Sequence, residues 1–283
     1  MKVVLFAFGL FVAITSAKSQ YYFTDIVSHR QSDYQYKQLI AAKVTHMQAV
    51  SYGKDSTTVS TTFTLEQDII DGGKKVITKT TLANSGTTII ENNYRNDQLI
   101  TSLNSIVQPL STVVTKTAYT YSDQGEILSI VSNSLDTIAS VSGFSERHIW
   151  QYNDKNKPTK MLNIKNNSDT LTVLFTHDEK GNVAEEKWFR KGQTIEKYYY
   201  YYDSDGLLTD VVRFNDRVRK LLPDFVYEYD DNANIIKMTQ TIKGGTDYFI
   251  WKYTYNDKNL KATESCYTRK NELQGKVVYE YSF

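Results

Sequence analysis

From Val44 onward apolar and polar residues alternate with a period of two, the pattern of strands that bury one face. Val44, His46, Gln48 and Val50 alternate with Thr45, Met47 and Ala49. Thr57–Leu65, Lys75–Leu82 and Thr87–Tyr94 follow, rich in threonine and β-branched residues. Tyr52-Gly53-Lys54-Asp55, Asp71-Gly72-Gly73 and Asn84-Ser85-Gly86 separate these runs with turn-forming residues. In the second half aromatic residues take over. An aromatic-x-aromatic strand end, followed by a polar turn, begins at Tyr119 (YTYSDQG), Trp150 (WQYNDKN), Phe175 (FTHDEKG), Tyr200 (YYYDSDG), Tyr227 (YEYDDNA), Tyr253 (YTYNDKN) and Tyr279 (YEYSF). From Trp150 on, the copies stand 25 to 27 residues apart.

Each copy reads as a hairpin: a strand, a turn built from Asp, Asn, Ser or Gly, and a second β-capable run such as Ile127–Val131, Met161–Ile164, Val183–Phe189, Leu207–Phe214 or Ile235–Ile242. The expected fold is all-β, a curved antiparallel β-meander of hairpin repeats with a period of about 26 residues. Turns are expected near Ser122–Gly125, Asn153–Asn156, Asp178–Gly181, Asp203–Gly206 and Asp230–Asn234. Ser32–Ala42 suits one short N-terminal helix, although Tyr34 and Tyr36 also suit a strand. The chain therefore divides into a leader (1–17), an N-terminal segment (18–43), a threonine-rich β region (44–115) and the repeat region (116–283). Ser105–Thr115, which contains Pro109, is the boundary candidate, and the two halves are expected to share or abut one sheet.

The best copy, Tyr202-Asp203-Ser204-Asp205-Gly206-Leu207-Leu208, and the similar Tyr229-Asp230-Asp231-Asn232-Ala233-Asn234-Ile235-Ile236 resemble the YD repeats of the RHS/YD family. The resemblance covers about Ala118–Phe283. It implies a coiled β-sheet, which in some members closes as a shell around a toxin domain. This chain is far shorter than a shell-forming one and carries no further domain after the last Tyr-x-Tyr, so only the repeat architecture is carried over.

Met1–Ala17 has one early lysine, an apolar run over Val3–Ile14 and Thr15-Ser16-Ala17 as small residues at its end, the form of a secretory signal peptide. The mature protein is expected to be exported, whether periplasmic, cell-surface or secreted. Cys266 is the sole cysteine, which leaves no lipid anchor and no intramolecular disulfide. With 33 basic and 32 acidic residues and no charged block, the balance points to no nucleic-acid, membrane-surface or polyacidic partner.

No residue pattern nominates a catalytic group, a cofactor or a metal. His29, His46, His148 and His177 are scattered, and His177 takes the second aromatic place of its repeat. Asp203-Ser204-Asp205-Gly206 has the start of a calcium loop but places Val212 where a glutamate would ligate. Glu185 and Glu186 are neighbours on a strand and so point to opposite faces. The unusual feature is 22 tyrosines. If a ligand is bound, the expected surface is Tyr198, Tyr199, Tyr200, Tyr201 and Tyr202 with Tyr227, Tyr229, Tyr253 and Tyr255, and the partner a glycan or a protein. The preferred reading is an exported non-enzymatic scaffold or binding protein. An exported enzyme acting on glycans or envelope material is the alternative. The alternating Val277, Tyr279, Tyr281 and Phe283 at the C-terminus raise a third, an outer-membrane β-barrel, which requires an apolar outward row.

Overall fold

The computed structural model describes residues 20–60, 63–83, 86–136, 143–215, 218–242 and 247–283. The expected signal peptide and the Asn84-Ser85 turn pair lie outside the described residues.

The N-terminal segment is helical: a π-helical turn at Tyr22–Val27 runs into α1 (Ser28–Ala41), four residues earlier than the expected start. The strands are β1 (His46–Tyr52), β2 (Phe63–Ile70), β3 (Lys75–Leu82), β4 (Gly86–Arg95), β5 (Gln98–Gln108) and β6 (Ser111–Tyr121). Next come β7 (Ile127–Asp136), β8 (Ser145–Tyr152), β9 (Pro158–Lys165), β10 (Asp169–His177), β11 (Val183–Arg190) and β12 (Gln193–Tyr202). The last are β13 (Leu208–Asn215), β14 (Lys220–Tyr229), β15 (Ile235–Thr241), β16 (Tyr248–Tyr255), β17 (Lys261–Thr268) and β18 (Leu273–Ser282). Each pairs antiparallel with its sequence neighbours, and β1 also pairs with β18, from His46 opposite Ser282 to Tyr52 opposite Lys276. The meander therefore closes into an up-and-down barrel of eighteen strands among the described residues. Closure removes both sheet edges.

The runs read from alternation become strands, with one correction. Within Thr57–Leu65, Phe63–Leu65 belong to β2, Thr57–Ser60 form a loop with a single bridge between Tyr52 and Val59, and Thr61-Thr62 lie outside the described residues. Asp55 accepts the amide hydrogens of Thr57 and Thr58 at 3.1 and 2.9 Å and holds that loop. Ser105–Thr115 is the tip of the β5–β6 hairpin, and the sheet runs through it without a break.

All the repeat turns lie at one end of the barrel, because alternate strands reverse direction. In most, an Asp or Asn side chain accepts backbone N–H groups two and four residues on: Asp203 takes those of Asp205 and Leu207 at 3.0 and 2.9 Å, and Asp230, Asn153 and Asn256 repeat the arrangement, while in the first turn Ser122 accepts that of Glu126 at 3.1 Å. The fourth turn residue has positive φ, which Gly125, Gly181 and Gly206 adopt freely while Ala233, at +62°, does not. The carboxylates that resemble a calcium loop are thus occupied by turn backbone.

Cross-strand register assigns the two faces. Trp150, Met161, Val173 and Trp188 are successive partners across four strands and all are buried, which puts them in the lumen. Tyr227, Met238, Trp251 and Cys266 continue the inward row on the far wall. Burial pushes the Cys266 thiol up to about 12, reinforced by the nearby Glu264 charge. The arc from β3 to β7 faces inward with Thr78, Ile90, Asn104, Thr115 and Ser134, so the threonine-rich half lines a more polar side of the same lumen.

Candidate functional site

The tyrosine repeats form two inward rows, each with its own task. The second aromatic of a repeat stands at the strand end beside the turns and donates its hydroxyl to a carbonyl at the start of the neighbouring strand. Tyr121 reaches Leu99 O at 2.6 Å, Tyr152 reaches Ile127 O at 2.8 Å and Tyr202 reaches Val183 O at 3.0 Å. Tyr229, Tyr255 and Tyr281 reach Leu208 O, Ile235 O and Lys261 O at 2.7 to 2.9 Å. At this end those strand pairs belong to different hairpins with no turn between them, so the hydroxyls stitch successive repeats together. His177 occupies the same place, against the Pro158 backbone.

The first aromatic of each repeat lies one step deeper, and Tyr119, Trp150, Phe175, Tyr200 and Tyr227 meet the N-terminal segment there, while Tyr253 and Tyr279 meet Lys261. Tyr22 meets Phe175 and Tyr200 at ring distances of 6.2 and 5.1 Å, and Phe23 stacks on Phe225 at 5.0 Å and on Tyr227 at 6.3 Å. Tyr21 packs on His148 and Trp188 at 5.1 and 4.8 Å, and His29 stacks on Tyr119 at 5.5 Å. These partners come from β6, β8, β10, β11, β12 and β14, so Tyr21–Ile26 runs inside the barrel, against that half of the wall, as a plug. The following α1 lies across the repeat-turn mouth. There Arg30 meets Glu126 at 3.2 Å, Tyr34 accepts from Asn259 at 3.0 Å, and Tyr36 donates to Gly73 O at 3.0 Å and stacks on Tyr94 at 3.8 Å. Burying each such ring contributes roughly 1.5–3 kcal/mol.

Two polar clusters fix the plug. Glu186, fully buried on β11, accepts the backbone N–H groups of Tyr21 and Tyr22 at 2.8 and 3.0 Å, the Trp188 indole at 2.5 Å and the Tyr200 hydroxyl at 2.6 Å. Burial raises its carboxyl to about 7 despite these four donors. In the second cluster Asp25 of the plug accepts from His148 Nδ1 at 2.6 Å and Trp150 Nε1 at 3.1 Å. On its other side His148 Nε2 meets Glu146 at 3.2 Å. Asn163 joins Glu146 to the Tyr21 hydroxyl, both at 2.5 Å, and Lys165 lies 3.3 Å from Glu146. Burial alone would lower His148, but the Asp25 charge and the hydrogen bonds to both carboxylates lift it to about 10. Burial opposes ionisation of Glu146, and the His148 hydrogen bond and charge overcome that to bring it down to about 2. His148 is thus held between two carboxylates that favour its imidazolium form.

The nine tyrosines expected to form a ligand surface do not share one exposed face. Tyr198, Tyr200, Tyr202, Tyr227, Tyr229, Tyr253 and Tyr255 point into the lumen, where Tyr198, Tyr200 and Tyr227 are buried. Tyr199 and Tyr201 point outward, and Tyr201 is half exposed. Glu185 and Glu186 leave by opposite faces as expected, Glu185 pairing outside with Lys187 at 2.8 Å. Asp25 and His148 were not singled out from sequence. They lie 123 residues apart in segments whose pairing no local pattern encodes. A cavity of about 70 Å³ remains at the mouth between α1 and the rim, lined by His29, Arg30, Gln98, Tyr121 and Glu126 among others. Among the described residues no group of three or more His, Cys, Asp or Glu side chains comes together as a metal site.

No family model matches the chain, and no curated protein matches it significantly. Among solved structures, a porin-like protein from Bacteroides uniformis is similar over 84% of this chain and 96% of its own, at 11% identity and a TM-score of 0.44. A porin-like protein from Bacteroides vulgatus aligns over 84% and 98%, at 11% identity and 0.27. The Photorhabdus luminescens Tc holotoxin pore aligns over 77% of this chain but 14% of its own, at 9% identity and 0.34. All three scores are below the level of a shared fold.

Proposed function

We propose that this protein is an exported, non-enzymatic β-barrel scaffold whose lumen is sealed by its own N-terminal segment. One observation carries the reading: Glu186, Asp25, His148 and Glu146 hold the plug, and the fully buried Glu264 is taken up on the wall by Tyr279 and Lys261. An enzyme needs such groups beside a cavity that admits substrate. Here the rings of Tyr21, Tyr22 and Phe23 fill that space. The only expected tyrosines left for a glycan or protein partner are the outward pair Tyr199 and Tyr201, which cover a small patch.

An outer-membrane barrel shares the closure of this sheet, and closure is what favours that second reading. Its wall would have to be apolar at mid-height. The outward row here carries Glu185 and Lys187 on β11, Lys197 on β12, Asp210 on β13, and the Glu228–Lys237 pair at 2.6 Å on β14 and β15. Charged outward rows support a wall in water.

The test pairs stability with turnover. Glu186→Gln and Glu146→Gln should lower the melting temperature, and wild-type protein should hydrolyse none of a panel of envelope and dietary glycans. Turnover that either substitution abolishes without loss of stability would overturn the scaffold reading. Spanning of the membrane would show as protein that stays in the membrane pellet after alkaline carbonate extraction.

A further inference from the structure

The two ends of the barrel differ in chemistry. The repeat-turn end is rich in turn carboxylates such as Asp154, Asp178, Asp203, Asp230 and Asp257, among which Phe283 and Ile70 are exposed apolar side chains. The opposite end has an apolar rim. Leu110, at the tip of the β5–β6 hairpin, is 89% exposed, and Val59, Leu135, Phe214, Leu221 and Ile242 stand around the same end with 45–53% exposure. Isolated exposed apolar side chains need no explanation, but a ring of them on one end does.

Cations accompany the rim: Lys54, Lys191, Arg219, Lys220 and Lys270 are exposed there. Two of the carboxylates at this end, Asp169 and Asp247, are paired with Arg190 and Arg269 at 3.2 and 4.0 Å. The near-zero charge of the whole chain argued against a membrane-surface partner. The fold gives that balance a direction: exposed cations such as Lys43, Lys74, Arg95, Lys155, Lys180 and Lys258 also stand at the repeat-turn end, but there the turn carboxylates outnumber them, whereas basic residues are in excess at the apolar-rimmed end.

We propose that this end docks on the surface of an anionic lipid bilayer, the apolar rim entering the headgroup layer and the basic residues meeting lipid phosphates. Apolar burial plus attraction to anionic headgroups is the general basis of such interfacial binding. The barrel then stands on the membrane with its strands outside it, and the plugged, acidic mouth faces away. This is independent of the scaffold reading above.

The test is flotation of the full chain with vesicles of phosphatidylcholine plus phosphatidylglycerol, against phosphatidylcholine alone. The protein should float with the anionic vesicles, several-fold less with the neutral ones, and be released at about 1 M salt, where the screening length is roughly 3 Å. Leu110→Ser and Lys220→Glu, both at exposed positions, should each reduce flotation several-fold with the melting temperature unchanged. Ile236→Ser, at the other end, should leave flotation intact. Failure to float with anionic vesicles, equal flotation with neutral ones, or equal loss from Ile236→Ser would overturn the proposal, as would binding that resists both salt and alkaline carbonate.

Discussion

Asp25 and His148 meet at 2.6 Å inside the barrel, the first from the plug and the second from its wall. Removing one partner of a buried charge pair leaves the other uncompensated, at a cost of about 3–5 kcal/mol. Asp25→Ala should therefore destabilise by about that much, read by urea denaturation. The double change Asp25→Leu with His148→Phe should cost less than the sum of the singles, because it removes both charges. Additive losses would show that the two groups act independently.

The buried groups predict how stability depends on pH. Glu186 titrates near 7 when folded and near 4.5 when unfolded, so between those values the folded chain holds the extra proton and stability falls as pH rises. The loss is on the order of 3 kcal/mol for a shift of this size in a fully buried group. His148, raised from 6.5 to about 10, loses its contribution as pH rises through that interval. Glu146, lowered from 4.5 to about 2, loses its contribution as pH falls through that one. The melting temperature should peak near pH 4.5, fall above it as Glu186 and then His148 lose their contributions, and fall below it as Glu146 does. Glu186→Gln should flatten the slope between 4.5 and 7, and an unchanged slope would remove Glu186 as its source.

The inward tyrosines should divide by row. Tyr229→Phe and Tyr255→Phe each delete one hydroxyl stitch and keep the ring, at about 1 kcal/mol each. Tyr227→Ser empties a ring site against Phe23 and should cost about 3–5 kcal/mol. Tyr201→Ser, outward and half exposed, should change stability by less than about 0.5 kcal/mol. Equal losses at Tyr227 and Tyr201 would contradict the assignment of faces.

Two backbone positions give opposite signs. Ala233 sits at φ +62°, where sister repeats place glycine, so Ala233→Gly should stabilise by up to about 1 kcal/mol. Gly73, at φ +92°, lies under α1, and a methyl group there would come within 2.5 Å of Ile40 Cδ1. Gly73→Ala should loosen α1 from the mouth, seen as faster hydrogen exchange in Ser28–Ala41.

Much of the wall was legible because hairpin chemistry is local. Asp203 and Gly206 announce their turn within four residues, and the alternation at Lys75–Leu82 marks that strand end to end. The plug was not legible, since Tyr21, Tyr22, Phe23, Asp25 and Ile26 are buried on every side within a lumen and show no helical periodicity. In the sequence Glu186 is one of two adjacent carboxylates that point to opposite faces, with no sign of which faces the lumen. Nothing near it in sequence reveals that its four donors come from the plug, from its own strand and from β12. Closure was equally hidden, because the pairing of His46 with Ser282 joins residues at opposite ends of the chain.

That pairing makes the seam and the plug one covalent element, for α1 passes through only Ala42–Thr45 before β1 begins. A chain trimmed of both would keep a sheet with two raw borders, β2 and β18, each offering a row of unsatisfied amides and carbonyls. Such a molecule would not be an open tube awaiting cargo. It would be adhesive, and it would recruit strands from its own kind until the borders were spent.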